Sequence, residues 1–205
     1  MSSDGEAGGP DASGISPNGS GISPDAEALA RARARWRHRG DVRPPFAHEP
    51  AAGQESVWDY PRPPRIERDR RCLRIEFAGV LVAESTRSLR ILETASPPTF
   101  YLPPDDVHLE LLVAGHGTSL CEWKGVAEYW SLRVEAQLIE NAAWCYREPY
   151  VGFEPIRDHI AFYPAQVECR LNDERVRPQP GAFYAGWVTR ELSGPFKGEP
   201  GSEDW

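Results

Sequence analysis

Between Cys72 and Arg177 apolar residues recur at every second position, in short runs separated by Gly, Pro or Asn-Asp. Period-two alternation puts one set of side chains on one face of an extended strand. The punctuation then reverses the chain, so this region is held to an antiparallel β domain. In Cys72–Phe77, Leu73, Ile75 and Phe77 share a face; Ala78-Gly79 makes a tight reversal, and Val80–Glu84 returns as the second arm of a hairpin. Thr99–Leu102, Val107–Val113, Thr118–Trp123, Val126–Val134, Asn141–Tyr146, Ile160–Tyr163, Val167–Leu171 and Arg175–Arg177 read as further strands. Ala114–Gly117 and Asn172-Asp173 read as turns, Phe153–His159 as one or two helical turns, and Ser85–Glu93 fits no single pattern.

The flanks have a different composition. Residues 1–22 are mostly Gly, Ser, Pro and Asp, and the string SGISP occurs twice, at Ser13–Pro17 and Ser20–Pro24. They carry too little apolar surface to offset the entropy of ordering, so a disordered tail is expected. Residues 23–40 read as an Arg-rich helix. Ser23 is placed to cap it, Pro24 suits its first turn, Arg31, Arg35 and Arg39 share a face, and Gly40 stops it. Leu29 and Trp36, seven residues apart, lie on one side and either pack on the domain or leave the helix as a basic docking arm. Residues 41–64 form a Pro-rich connector, residues 65–179 the β domain, and residues 180–205 a Gly- and aromatic-rich strap.

Charge narrows the function classes. The chain carries 23 basic and 31 acidic residues for a net of −8. Such a surface repels a polyanion, so general nucleic-acid binding is not expected. No run approaches the roughly 20 apolar residues of a membrane span, and neither a secretory signal nor a myristoylation site opens the sequence. A cytoplasmic protein is expected. The four cysteines, Cys72, Cys121, Cys145 and Cys169, form no C-x-x-C pair, so free thiols and no structural zinc are expected. No metal and no cofactor is called for by any motif: P-loop, G-x-G-x-x-G, G-x-S-x-G and H-E-x-x-H are all missing.

The densest chemistry lies in Cys121–Trp130. Strand parity groups Glu128 with Val126, Trp130, Leu132 and Val134 on an otherwise apolar face. A carboxylate there is either a raised-pKa acid or ligand anchor, or one half of a buried ion pair with an arginine. Among the basic residues 21 are Arg and only two are Lys, and both lysines stand between an aromatic residue and a glycine: Trp123-Lys124-Gly125 and Phe196-Lys197-Gly198. An ammonium, unlike a guanidinium, can lose its proton when desolvated and form a Schiff base; the alternative is an exposed loop. Trp123, Trp130, Trp144, Tyr129, Tyr146, Phe162 and Tyr163 crowd one third of the chain, as the walls of a ligand cage or simply as core. Arg87 and Arg90, beside Ser85, Thr86 and Ser88, either clamp an anion or pair with Glu84, Glu93 or Glu128. Asp105-Asp106 near His108 would suit a metal, or cap a helical turn.

Taken in order, Ser85-Thr86-Arg87, Leu92-Glu93-Thr94, Tyr101–Val107, Cys121–Gly125, Tyr129-Trp130, Ala142–Trp144 and Ala161–Pro164 resemble the family catalogued as domain of unknown function 427, over about residues 54–200. The resemblance implies a small antiparallel β-tent, similar to the Mss4-like group of folded sheets. Relatives of that shape hold zinc through paired C-x-x-C knuckles, which this chain lacks, so zinc is not carried over. The family is also labelled a nucleotidyltransferase, although no paired-carboxylate motif follows a Gly-Ser turn here.

The resulting expectation is a mainly β, Mss4-like β-tent module that binds a small ligand in an aromatic-lined pocket. Trp123, Trp130 and Tyr163 are its expected walls, and Arg87, Lys124 and Glu128 its polar anchors. The alternatives are an enzyme, of nucleotidyltransferase or Lys/Glu acid-base type, and a protein-interaction module whose arm is the tail and helix.

Overall fold

The computed structural model of the chain describes residues 25–181 and 183–205. The expected tail, residues 1–22, and the first two residues of the expected helix lie outside them. Among the described residues the fold is mainly β, built from several small, mostly antiparallel sheets with one α-helix. In chain order the elements are α1 (Ala26–Ala34), β1 (Glu55–Ser56), β2 (Arg65–Asp69), β3 (Leu73–Phe77), β4 (Val80–Ser85), β5 (Ser88–Glu93), β6 (Ser96–Tyr101), β7 (Leu112–Cys121), β8 (Gly125–Val134), β9 (Gln137–Cys145), β10 (Ala161–Phe162), β11 (Glu168–Leu171), β12 (Glu174–Arg175), β13 (Arg177–Pro178), β14 (Trp187–Val188) and β15 (Leu192–Ser193).

Two four-stranded sheets, β10-β9-β8-β7 and β12-β11-β3-β4, enclose the largest core. Leu73, Ile75 and Val82 from one sheet meet Leu132, Ala143 and Phe162 from the other, and Trp187 of the C-terminal strap completes the cluster. The β3–β4 hairpin turns at Ala78-Gly79, both with positive φ (52° and 75°), which matches the right-handed twist of its arms. A three-stranded sheet, β2-β5-β6, packs beside the β7–β9 ribbon. Ile91 and Tyr101 of that sheet bury themselves against Trp123, Ala127, Trp144 and Tyr146, making a second, largely aromatic cluster. The connector and the strap also pair: β1 with β15 in parallel, and β13 with β14.

Several expectations need correction. Val107–Val113 is not a strand. Pro103-Pro104 opens one 3-10 turn and a second spans Leu109–Leu111, so β7 starts only at Leu112. Ala114–Gly117 is not a turn but a bulge within β7, where the register against β8 slips and Gly117 takes φ 74°. Helix α1 is capped by the Asp25 side chain and ends at Ala34 rather than running to Gly40. The segment after it peels away so that Trp36 can dock on the domain.

Candidate functional site

A cleft of about 290 Å³ opens over the aromatic cluster. Its floor is Tyr101, Trp144 and Tyr146, with Tyr129 and Tyr163 beside them and Trp36 and Tyr184 at the rim. The Trp144 and Tyr163 rings lie 4.6 Å apart and tilted, and Tyr101 meets Trp144 edge-on at 6.1 Å. Strand parity supplies this wall: Ala127 and Tyr129 of β8 pair across from Ser119 of β7 and Trp144 of β9 and turn the same way.

Both lysines of the chain line this one cleft. Lys124 comes from the β7–β8 turn, and its carbonyl accepts a hydrogen bond from the Tyr150 main-chain N–H (3.0 Å). Lys197 comes from the strap, and its own N–H donates to Ala95 O (2.7 Å). Each is followed by a glycine in the left-handed region, Gly125 at φ 109° and Gly198 at φ 103°. A Cβ on Gly125 would stand 3.2 Å from Glu148 O, and one on Gly198 would stand 1.9 Å from Pro180 O. The aromatic-Lys-Gly strings are thus two copies of one local device. The aromatic residue anchors, and the glycine lets the chain pass a carbonyl at a φ that other residues resist.

The two ammonium groups differ in surroundings. Burial works against the charge on Lys124 and the Glu93 carboxylate favours it, and the net direction is above the ordinary lysine value. Lys124 therefore stays a cation. Lys197 is only 4% exposed. Its Nζ sits 3.3 Å from the centre of the Trp36 ring and donates to Trp205 O at 3.0 Å. Burial, and then the nearby Arg62 cation, push its pKa down to about 8. Burial pushes the Tyr101, Tyr146 and Tyr163 phenols up, so all three remain O–H donors near neutrality.

The N-terminal segment closes one side. Trp36 Nε1 donates to Glu122 Oε1 (2.5 Å), Arg33 Nε donates to Glu122 O (2.8 Å), and Arg33 lies 5.3 Å over Trp123. Arg62, whose side chain is fully buried, stacks 4.7 Å over Trp36. It donates to Glu93 Oε1 (3.1 Å), His38 O (3.0 Å) and Thr94 O (2.9 Å). The cleft carboxylates, Glu93 and Glu122, are thus engaged by Arg62 and Trp36.

Of the six residues singled out from sequence, the fold brings Lys124 and Tyr163 to this cleft. Trp123 is 5% exposed and packs in the cluster beside it without lining it. Trp130 turns to the opposite face, where its Nε1 reaches Cys145 Sγ at 3.3 Å and Arg147 covers its ring. Glu128 is exposed and faces Arg147 at 3.5 Å. The β8 register slips between Trp130 and Leu132, so Glu128 does not share a buried face with Leu132 and Val134. Glu128→Gln is expected to change stability by less than about 0.5 kcal/mol in urea unfolding; a loss of several kcal/mol would mean the carboxylate is buried after all.

Arg87 lies apart, on a wider groove of about 790 Å³ with Arg68, Arg70 and His159. It is tied to Asp106, which also accepts from Ser85 Oγ (2.6 Å). Arg90 is tied to Glu55 and Glu67. Among the described residues no three His, Cys, Asp or Glu side chains gather as a metal site, and all four cysteines are free thiols. Cys145 and Cys169 are buried, while Cys72 and Cys121 are half-buried, Cys121 inside the cleft. Sequence reading missed Tyr101, Trp36 and Lys197 as lining residues, although the count of two lysines in matching contexts already pointed to Lys197.

Residues 65–173, more than half of the chain, match a family model described as a domain of unknown function (DUF427). No curated protein matches the chain. The ordered motifs from Ser85 to Pro164 all lie within the matched span, and the chain belongs to the domain of unknown function 427 family.

Proposed function

We propose that the aromatic cleft binds a small, flat organic anion. The observation that carries this reading is that the only two lysines among 23 basic residues line one cleft whose floor is made of aromatic rings. Rings offer faces to a planar apolar body. The Lys124 ammonium and the Tyr101, Tyr146 and Tyr163 phenols offer donors to an oxyanion, while the carboxylates nearby are already engaged. We take the module to be an Mss4-like β-tent working in the cytoplasm, since four unpaired thiols suit a reducing compartment. Nucleotidyl transfer and Lys/Glu acid-base catalysis have less support, because Glu128 is solvated and Asp106 is held by Arg87 and Ser85. An interaction role for the helix also has less support, because Arg33 and Trp36 hold the segment that contains it to the domain.

The probe for this reading is 8-anilinonaphthalene-1-sulfonate, an aromatic anion whose flat naphthalene ring carries the sulfonate. Its fluorescence titration should saturate at one site. Lys124→Met should weaken it about 10- to 100-fold, the worth of one charge-assisted hydrogen bond. N-phenyl-1-naphthylamine, which lacks the sulfonate, should bind both proteins alike. An equal loss for both dyes would mean the substitution distorts the cleft, and an unchanged sulfonate affinity would remove Lys124 as the anchor.

A further inference from the structure

We propose that Lys197 is an imine-forming amine, whose Nζ adds to the carbonyl carbon of a flat aromatic aldehyde or oxo acid held in the cleft by its anionic group at Lys124. This deepens the reading above and rests on it. It begins from composition: arginine fills 21 of 23 basic positions, so a lysine is the exception that needs a reason. A guanidinium repeats the charge of an ammonium but does not act as a nucleophile under ordinary conditions. A desolvated amine beside another cation does.

Lys197 has those surroundings. It is almost fully buried yet borders the cleft. Among the described residues the one hydrogen bond of its Nζ goes to Trp205 O. Arg62 and Arg35 stack on the same Trp36 indole, at 4.7 and 4.2 Å, and both press against a second positive charge there. Glu93 and Glu122 pull the other way, though each is already engaged, by Arg62 and by Trp36. The Trp36 face and the Trp205 oxygen also favour the ammonium. The balance puts the amine at about 8, so about a tenth is neutral at pH 7 and about a quarter at pH 7.5, against about a thousandth for an ordinary lysine. Its main chain is fixed, with Gln179 Nε2 donating to Lys197 O at 2.8 Å. The nucleophile is therefore held in place at little further entropic cost. Lys124 takes the other role, since it stays charged and serves as a point anchor.

The step needs no oxidant or reductant. The Nζ lone pair forms the N–C bond as the carbonyl π pair moves to oxygen, which takes up a proton. The carbinolamine then loses the remaining amine proton and its hydroxyl as water, leaving C=N.

The test uses the full chain, 4-formylbenzoate as the probe aldehyde and cyanoborohydride to reduce the imine, followed by peptide mapping. The adduct should fall on Lys197 in preference to Lys124 and to the α-amine. At about pH 7.5 it should form roughly 100-fold faster than on free lysine side chains, which are almost wholly protonated there. Its rate should rise with pH and level off above about 8. A rate still climbing past about pH 9, or an adduct chiefly on Lys124 or the α-amine, overturns the proposal. Lys197→Arg should abolish the mapped adduct, because a guanidinium does not add to the aldehyde. A wild-type chain that binds the dye but gives no Lys197 adduct sinks the imine alone. A chain that labels at Lys197 but does not bind the dye sinks the cleft reading instead.

Discussion

Trp187→Ala is expected to cost about 3–5 kcal/mol of folding stability, the range for removing a large buried aromatic residue. Trp187 is fully buried and comes from the strap, beyond the last residue of the family match. Its ring lies 4.9 Å from that of Phe100, its Nε1 points to Phe162 O at 3.4 Å, and it belongs to the core shared by the two four-stranded sheets. Little can collapse into the space it would leave, because its neighbours are strands pinned on both sides. The consequence reaches the cleft, since the same strap delivers Tyr184 and Lys197. Urea unfolding followed by far-UV circular dichroism would measure the loss. A drop below about 1 kcal/mol would show that the strap is peripheral. A chain truncated after residue 179 should fail in the same way, because it loses Trp187 together with β14 and β15.

The mainly β architecture was legible because half-buried strands write their burial as alternation: Leu73 and Ile75, then Val82, obey it. The alternation of Val107–Val113 misled because a second 3-10 turn, Leu109–Leu111, follows the proline-initiated one and breaks the extended run that the pattern assumes. Glu128 misled for another reason. Parity arguments assume an unbroken register, and β8 slips at Trp130. Tryptophan crowding was visible, but whether a ring faces cleft, core or solvent depends on cross-strand partners that no local pattern encodes. Trp144 and Trp130 sit directly opposite Tyr129 and Ala143, on different faces. The lysine signal survived this because it is compositional. Two lysines against 21 arginines stand out wherever the fold puts them, and the glycine after each takes a positive φ in the folded chain. Trp36, and Arg62 stacked on it, lie far in sequence from most of the lining residues, so their part in the cleft could be found only from the folded chain.

Arg71→Met is expected to cost about 3–5 kcal/mol near neutrality, and the deficit should shrink in acid. Arg71 grips Asp69 with two guanidinium nitrogens and with its own main-chain N–H, reaches Glu191 of the strap, and lies 5.8 Å over Phe100. The Asp69 side chain is only 5% exposed, so removing the guanidinium strands a nearly buried carboxylate. Burial pushes the Asp69 carboxyl up, but the Arg71 hydrogen bonds and charge outweigh it and hold the pKa below the ordinary value. A carboxyl depressed in the folded state adds stability at pH above its unfolded value of about 3.9. That contribution disappears as pH falls through the folded value. In the variant the stranded carboxyl instead takes up a proton readily and is relieved by acid. The wild-type advantage should therefore be largest near pH 7 and fade below about pH 4. Methionine keeps much of the apolar stem over Phe100, and any packing loss that remains is independent of pH. Urea midpoints at several pH values separate the two contributions. A deficit that stays constant from neutral to acid pH would assign the role of Arg71 to packing, whereas a deficit that closes would make this ion pair the charge-dependent tie between the strap and the sheet.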